Sequence, residues 1–304
     1  MTKTLLVLLG PTGIGKTDLS LRLAKRYHCP VISSDSRQIY RGIEIGTAAP
    51  SKEEQSEVPH FFVGIKDLTE SYSAGQYEQD VLALLDEQFQ THDYALLCGG
   101  SMMYIDAVCK GMDDVPTIPE AIRRQVHELL ETQGLEAVAQ RLSELDPVHY
   151  QRVDRKNTQR VTHALEVCLT LQRPYSSILT GQAKKRPFKI VKIGLERPRA
   201  ELYDRINRRV EAMIADGLEE EARRVYPLKA LNSLNTVGFK EWFDWWDGKT
   251  ASREEVIRLI QQNSRHYAKR QLTWFRRDTE IRWFHPDQFD QITAYIDQCN
   301  DSDK

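Results

Sequence analysis

A chain of 304 residues, 40% hydrophobic and 28% charged, has room for about two domains and the composition of an ordinary globular protein, not of a disordered one. Its 42 Lys and Arg against 44 Asp and Glu give a net charge of −2, which excludes a global basic field and leaves only a local patch for nucleic acid. No stretch approaches the ~20 apolar residues of a membrane span, and the five scattered cysteines form no Cys-x-x-Cys pair, so a reduced, cytoplasmic protein without a membrane partner is expected.

Thr4–Leu9 is an apolar run that fits a buried parallel strand, and Lys16–Tyr27 has helical spacing through Leu19, Leu23, Ala24 and Tyr27. Val31–Ser34 predicts a second strand and residues 61–65 a third. Ser73 with Gln76 reads as a capping box that opens a helix through residue 89. Residues 94–98 predict a further strand, ended by Gly99 and Gly100 and followed by a helix over 102–109. This alternation points to the α/β class: a parallel sheet flanked by helices.

From about residue 113 the pattern turns all-helical. Helices are expected over 119–132, from a break at Gly134 to 145, and over 157–171. Lys189–Leu195 then returns to a strand pattern. The expected division is therefore a first core part (1–112), a helical insertion (113–187) and a mostly helical completion of the core (188–304). In the last part a helix over 199–216 ends at Gly217 as a left-handed cap. A long helix covers 252–276, a strand 281–284, and the final helix frays at 300–304.

Gly10, Pro11, Thr12, Gly13, Ile14, Gly15, Lys16 and Thr17 match G-x-x-x-x-G-K-[ST] between a strand and a helix. Backbone N–H groups there converge on an anion, Lys16 adds charge, and the Thr17 hydroxyl is a candidate ligand for Mg²⁺. A nucleoside triphosphatase usually places an acidic residue at the end of another apolar strand. Here the strand at 94–98 ends in Gly99-Gly100-Ser101, which looks like a second anion cradle, and Val31–Ser34 ends in Asp35. The carboxyl ends of parallel strands form the ligand crevice, so Asp35, Ser101 and the loop should share one cleft. Asp35 is open to three readings: metal ligand, general base, or a structural cap of its turn.

These segments together resemble the tRNA dimethylallyltransferases nearly end to end. The resemblance is carried by the loop, by Asp35-Ser36 with Gln38 and Tyr40, by Ile45-Gly46-Thr47-Ala48, and by Gly99-Gly100-Ser101 with Tyr104. Asp146-Pro147, Gln159-Arg160, Arg205-Ile206 with Arg209, Val237-Gly238-Phe239, and Lys269-Arg270-Gln271 with Thr273-Trp274 extend it. It implies a P-loop core with a helical insertion that clamps a tRNA anticodon stem-loop, a loop that binds dimethylallyl diphosphate, and a monomer. It further implies allyl transfer to N6 of the adenosine just 3′ of the anticodon. Asp35 would be the general base, and Lys16, Arg209, Ser101 and Mg²⁺ on Thr17 would stabilise the leaving diphosphate.

The tRNA contacts implied by the resemblance are Asp35, Ser36, Arg37 and Gln38, then Ser101 and Arg123. Gln159, Arg160, Val161, Thr162 and His163 follow, with Asn235, Thr236, Val237, Gly238, Phe239 and Lys240. Gln38 suits the donor–acceptor edge of adenine. Arg205 and Arg209, four apart, share one helix face, which by spacing alone would also fit a solvated basic surface. The rival readings are an ATP-dependent small-molecule kinase and an isopentenyltransferase acting on free adenine nucleotides.

Overall fold

Strand β1 (Thr4–Leu9) is buried along its whole length, with Leu5, Val7 and Leu9 entering one hydrophobic core and Leu6 and Leu8 another. Side chains alternate between the faces of a strand, so an unbroken apolar run requires cover on both sides of its sheet. The computed structural model, which describes residues 2–301, has that arrangement.

The further strands are β2 (Val31–Ser34), β3 (His60–Phe61), β4 (Tyr94–Gly99), β5 (Lys189–Leu195) and β6 (Arg282–Phe284). They form one parallel sheet in the order β3-β2-β4-β1-β5-β6. Helices α1 (Lys16–Tyr27), α2 (Glu44–Thr47), α3 (Lys52–Glu57), α4 (Ala74–Gln88) and α5 (Met102–Lys110) accompany the first four strands. A second group comprises α6 (Glu120–Leu145), α7 (Pro147–Arg152) and α8 (Thr158–Leu171). After β5 come α9 (Arg199–Ala215), α10 (Leu218–Val225), α11 (Lys240–Trp246) and α12 (Arg253–Phe275), and α13 (Phe289–Asp301) follows β6. Tyr77, Val81 and Leu85 of α4 with Ile105 and Val108 of α5 pack in the first core, and Leu19 and Leu23 of α1 with Ile292 and Ile296 of α13 in the second.

At the carboxyl edge, the register sets Leu9 of β1 against Gly99 of β4, and Gly99 against Ser34 of β2. The next residues, Gly10, Gly100 and Asp35, therefore leave three adjacent strands at one level. A Cβ on Gly99 would lie 2.4 Å from the Ser34 carbonyl oxygen, so only glycine fits there.

The chain divides into two compact units, residues 110–185 forming one and the remainder the other. In the smaller unit α6 is interrupted at Gly134 (φ 79°, ψ 177°), and Val126, Val138, Leu142, Val161, Leu165 and Cys168 make a core of their own. Asp146 is structural: its carboxylate caps α7 through the His149 N–H at 2.9 Å and accepts from the N–H and hydroxyl of Ser176 at 2.7 and 2.8 Å.

Several expectations are corrected. The strand expected over 61–65 is only His60–Phe61, because Phe62 (φ 62°) and Gly64 (φ 60°) turn the backbone left-handed. Ser73 caps α4 through the Gln76 N–H at 3.1 Å, whereas the reciprocal capping box is built at Ser51 and Glu54. Asn300 is held in the last helix by the Tyr94 hydroxyl at 3.0 Å and the Thr4 hydroxyl at 3.2 Å, so fraying does not begin there. Residues 302–304 lie outside the described residues. Among the described residues no helix is long and apolar enough to cross a membrane.

Arg186, which falls within the insertion expected over 113–187, belongs to the larger unit, where its side chain is buried. Its guanidinium pairs with Glu78 at 2.7 Å and donates to the carbonyls of Ala107 and Val108 at the end of α5; the two charged side chains are only 7% and 8% exposed. Breaking a buried pair from one side typically costs about 3–5 kcal/mol. Arg186→Met should therefore lower unfolding stability by about that amount, read as a fall in urea midpoint at unchanged slope. An unchanged midpoint would remove this pair from the supports of the core.

Candidate active site

The loop between β1 and α1 is shaped by glycine. Gly13 (φ 77°) and Gly15 (φ 104°) take left-handed conformations, and a Cβ on Gly13 would stand 2.8 Å from Ile206 Cγ1. Buried Ile14 anchors the middle of the loop, and the first turn of α1 opens directly after it. Lys16 Nζ folds back to donate to the carbonyls of Gly10 and Pro11, each at 2.9 Å.

Three arginines hold consecutive loop residues from outside. Arg209 donates to the Thr12 hydroxyl, Arg205 to the Gly13 carbonyl and Arg197 to the Ile14 carbonyl, each at 3.1 Å. The solvated-face reading of Arg205 and Arg209 is thereby excluded, since both turn from α9 toward the loop. Arg197 is a site residue the sequence reading missed.

The loop floors a cleft of about 1150 Å³ at the carboxyl ends of the strands. One face of α12 closes it with Asn263, Ser264, Tyr267 and Gln271, which lie one, four and eight residues along from Asn263 and form a single helical stripe. These were also missed. The available signal was a run of polar residues on the stripe that includes buried Ala268 and Phe275 nearby, a face that otherwise enters the core.

Asp35 lines the cleft beside the loop. Its Oδ1 accepts the N–H of Arg37 at 2.9 Å and, more loosely, that of Gln38 at 3.4 Å, so one oxygen caps the turn while no hydrogen bond to Oδ2 occurs among the described residues. Ser101 is buried just behind: its hydroxyl accepts the Ser36 N–H at 2.8 Å and donates to the Ser36 hydroxyl at 3.2 Å. Arg37 reaches the carbonyls of Asn232 and Asn235 at 2.7 and 3.4 Å, linking this turn to the 232–240 segment.

Burial pushes the Lys16 ammonium down to about 8; Arg209 acts in the same direction, while Cys98 and Asp35 oppose it. Burial likewise lowers the Arg209 guanidinium, with Asp35 opposing. The Tyr267 hydroxyl is pushed up to about 12 by burial and then by the Asp35 carboxylate. Asp35 therefore sits within electrostatic range of both cations and the phenol.

Gln38 departs from the expected adenine reader. Both protons of its amide go to the carbonyls of Thr47 and Ala48, at 3.2 and 3.0 Å, and its oxygen accepts from Ser33 at 3.0 Å. With its donor committed, it holds the α2 turn. Phe239 is also corrected: it is fully buried, and a Cβ on Gly46 would lie 2.3 Å from its ring. Its neighbours Asn235, Thr236, Val237, Gly238 and Lys240 line the cleft. Glu241 shapes that segment by accepting the Gly238 N–H at 2.8 Å and the Asn263 amide at 2.7 Å.

Arg123 and residues 159–163 belong to the smaller unit. Arg123, Gln159, Arg160 and His163 are exposed there, and Thr162 is half-buried with its hydroxyl on the Thr158 carbonyl at 2.9 Å. Val161 is 0% exposed within that unit's core, so its side chain makes no outside contact.

For Mg²⁺, the donor set is sparse. Among the described residues no group of three or more His, Cys, Asp or Glu could hold a metal. Thr17 lines the cleft, as do the carboxylate residues Asp18 and Asp35. That fits a cation drawing most of its ligands from substrate phosphate and water, as Mg²⁺ commonly does.

A parallel sheet whose carboxyl edge carries a phosphate loop, an arginine trio and a cleft carboxylate defines a P-loop α/β enzyme. A family model described as IPP transferase matches residues 38–278. The "tRNA dimethylallyltransferase 1" of Phocaeicola vulgatus is 54% identical over 300 residues, covering 99% of this chain and 100% of the relative. The protein of the same name from Bacteroides fragilis is 54% identical over 294 residues, 97% of each chain. The crystal structure of the full-length tRNA isopentenylpyrophosphate transferase from Bacillus halodurans superposes with a TM-score of 0.72 at 36% identity, covering 97% of this chain and 96% of that one. The chain belongs to the IPP transferase family.

The depressed Lys16 has a consequence for pH. Only its protonated form attracts an anion, and the proton is lost as pH rises through about 8. Pyrophosphate affinity of the wild type, relative to Lys16→Arg, should fall above pH 8, because arginine remains charged throughout. A ratio constant from pH 7 to 10, measured by calorimetry, would show that Lys16 does not titrate in this range.

Proposed function

We propose that this protein transfers the dimethylallyl group of dimethylallyl diphosphate to N6 of the adenosine just 3′ of the anticodon, in tRNAs that read codons beginning with U. It is a prenyltransferase that modifies tRNA. The observation that carries the finer reading is the cleft itself, in which Asp35, Lys16 and the glycine loop line one space in a member of this family.

The adenine N6 lone pair is delocalised into the ring, which makes it a weak nucleophile. As N6 bonds to the allylic carbon, the carbon–oxygen bond to diphosphate breaks, and Asp35 takes the N6 proton through the oxygen not used in its turn. The departing diphosphate gathers charge that Lys16, Arg209 and the loop N–H groups stabilise. Ser101 would donate to the leaving oxygen by turning its hydroxyl proton away from Ser36. Mg²⁺ held by Thr17 would neutralise further charge on the diphosphate. The target base must leave its stack to enter the cleft. Gln38 positions the α2 turn from the cleft lining.

Asp35→Asn keeps the turn-capping oxygen and removes the proton acceptor. Loss of general-base catalysis typically costs about 10²–10⁴ in rate. Single-turnover prenylation should fall by that factor with tRNA affinity within about twofold, and a near wild-type rate would sink the assignment.

The exposed arginines of the smaller unit are proposed to contact tRNA phosphates, as part of an anticodon-stem clamp. Replacing Arg123 and Arg160 together by glutamine should weaken tRNA binding and flatten its salt dependence by about 0.7–0.9 in log–log slope per lost contact. Dimethylallyl diphosphate KM should not change. An unchanged slope would assign the RNA contacts to the larger unit.

A further inference from the structure

Among the polar side chains of the cleft lining that the chemistry above does not use, Gln271 joins two loops. Gln271 is 2% exposed and sits on α12, between two loops that come from different strands. Its Oε1 accepts the N–H of Thr12 at 2.9 Å, and its Nε2 donates to the carbonyl of Gly100 at 2.8 Å. A Cβ on Gly100 would stand 2.3 Å from that Nε2 and 3.2 Å from the Gly10 carbonyl oxygen, so the close fit of the three segments depends on glycine.

Two consequences follow from these bonds. An N–H donated to Gln271 is not available to an anion, so the Thr12 amide is withdrawn from the phosphate-binding set. Thr12 is also the residue whose hydroxyl accepts from Arg209. Gln271 thus fixes Thr12, Thr12 holds Arg209, and the same amide fixes the turn that carries Ser101. A buried amide whose acceptor and donor are both committed, one to each loop, defines a spacing that neither loop sets alone.

We propose that Gln271 is a positioning residue that holds the diphosphate cradle in register with the Ser101 turn, so that leaving group and stabilising donors are aligned. The proposal rests on the function proposed above. It gives the Lys269-Arg270-Gln271 segment a role in the diphosphate site. In this role Gln271 acts through Thr12 and Gly100, to which both ends of its amide are committed.

The test uses full-length protein and two variants. Gln271→Met has similar length and no hydrogen bonds. Gln271→Glu places a second oxygen against the Gly100 carbonyl when ionised; when protonated it presents one acceptor and one donor, the pattern of the amide. Calorimetry with inorganic pyrophosphate gives Kd, and steady-state assays give kcat with KM for dimethylallyl diphosphate and for tRNA separately. For Gln271→Met, pyrophosphate Kd and dimethylallyl diphosphate KM should each rise about tenfold and kcat should fall, while tRNA KM stays within about twofold. Gln271→Glu should match that loss at pH 8 and recover toward wild type as pH falls, because burial keeps a carboxyl neutral to higher pH.

A packing role alone would reduce the folded fraction and leave both constants where they are in the wild type. Folded Gln271→Met with pyrophosphate Kd and KM within about twofold of wild type overturns the proposal. Should Gln271→Met fail to fold, the pH recovery of Gln271→Glu decides the matter, and its absence overturns the proposal. Wild-type protein that binds no pyrophosphate would overturn the proposed function itself, whereas wild-type binding with unaffected variants overturns this inference alone.

Discussion

The register of three strands at the carboxyl edge is the constraint on which the site depends. Leu9, Gly99 and Ser34 stand side by side, and the chain leaves them as a phosphate loop, a glycine turn and an acidic turn. A slip of one residue would reverse the facing of each strand and carry Gly10, Gly100 and Asp35 apart. The slip is opposed from both faces, because Leu5, Val7 and Leu9 are committed to one core and Leu6 and Leu8 to the other. Burying such a side chain contributes about 1.5–3 kcal/mol, so the core fixes the site's geometry far more strongly than any contact within the site.

The groups that converge on this edge are cationic and are held by backbone oxygens. Arg197, Arg205 and Lys16 donate to loop carbonyls, and Arg209 to a loop hydroxyl. Positive charge is concentrated there before any anion arrives, and burial lowers both Lys16 and Arg209. An arriving diphosphate relieves that cost, and this couples its binding to the protonation of Lys16. The net charge of −2 does not reveal this local grouping, in which Arg197 is itself paired with Glu201 and Asp287.

Carboxylates and amides around the cleft serve mainly to shape loops. Gln38 binds the α2 turn, Glu221 accepts the N–H groups of Ile45 and Gly46 at 3.0 and 2.7 Å, and Glu241 holds the Gly238 turn. Each occupies a backbone group that burial would otherwise leave unsatisfied. Asp35 differs from them in that one of its oxygens remains outside this scaffolding.

The sequence by itself determined the elements whose signal is local. A five-residue apolar run, a glycine–lysine loop and a helical stripe are set by side-chain period and backbone freedom, so β1, the loop, α1 and the interruption of α6 at Gly134 were legible in advance. So was the pairing of the loop with Asp35, because parallel strands place their carboxyl ends together. Tertiary structure alone decided what distant side chains meet. Arg186 reads as a basic insertion residue until Glu78, more than a hundred positions away, is beside it. Gln38 reads as a base reader until Thr47 and Ala48 take its protons, and Phe239 and Val161 read as contacts until burial removes them. Gln271 joins residues 259 and 171 positions from it, and no period or spacing encodes such a bond. A hydrogen bond between remote segments exists only once the core has brought their backbones within about 3 Å, and that distance is a property of the packed chain.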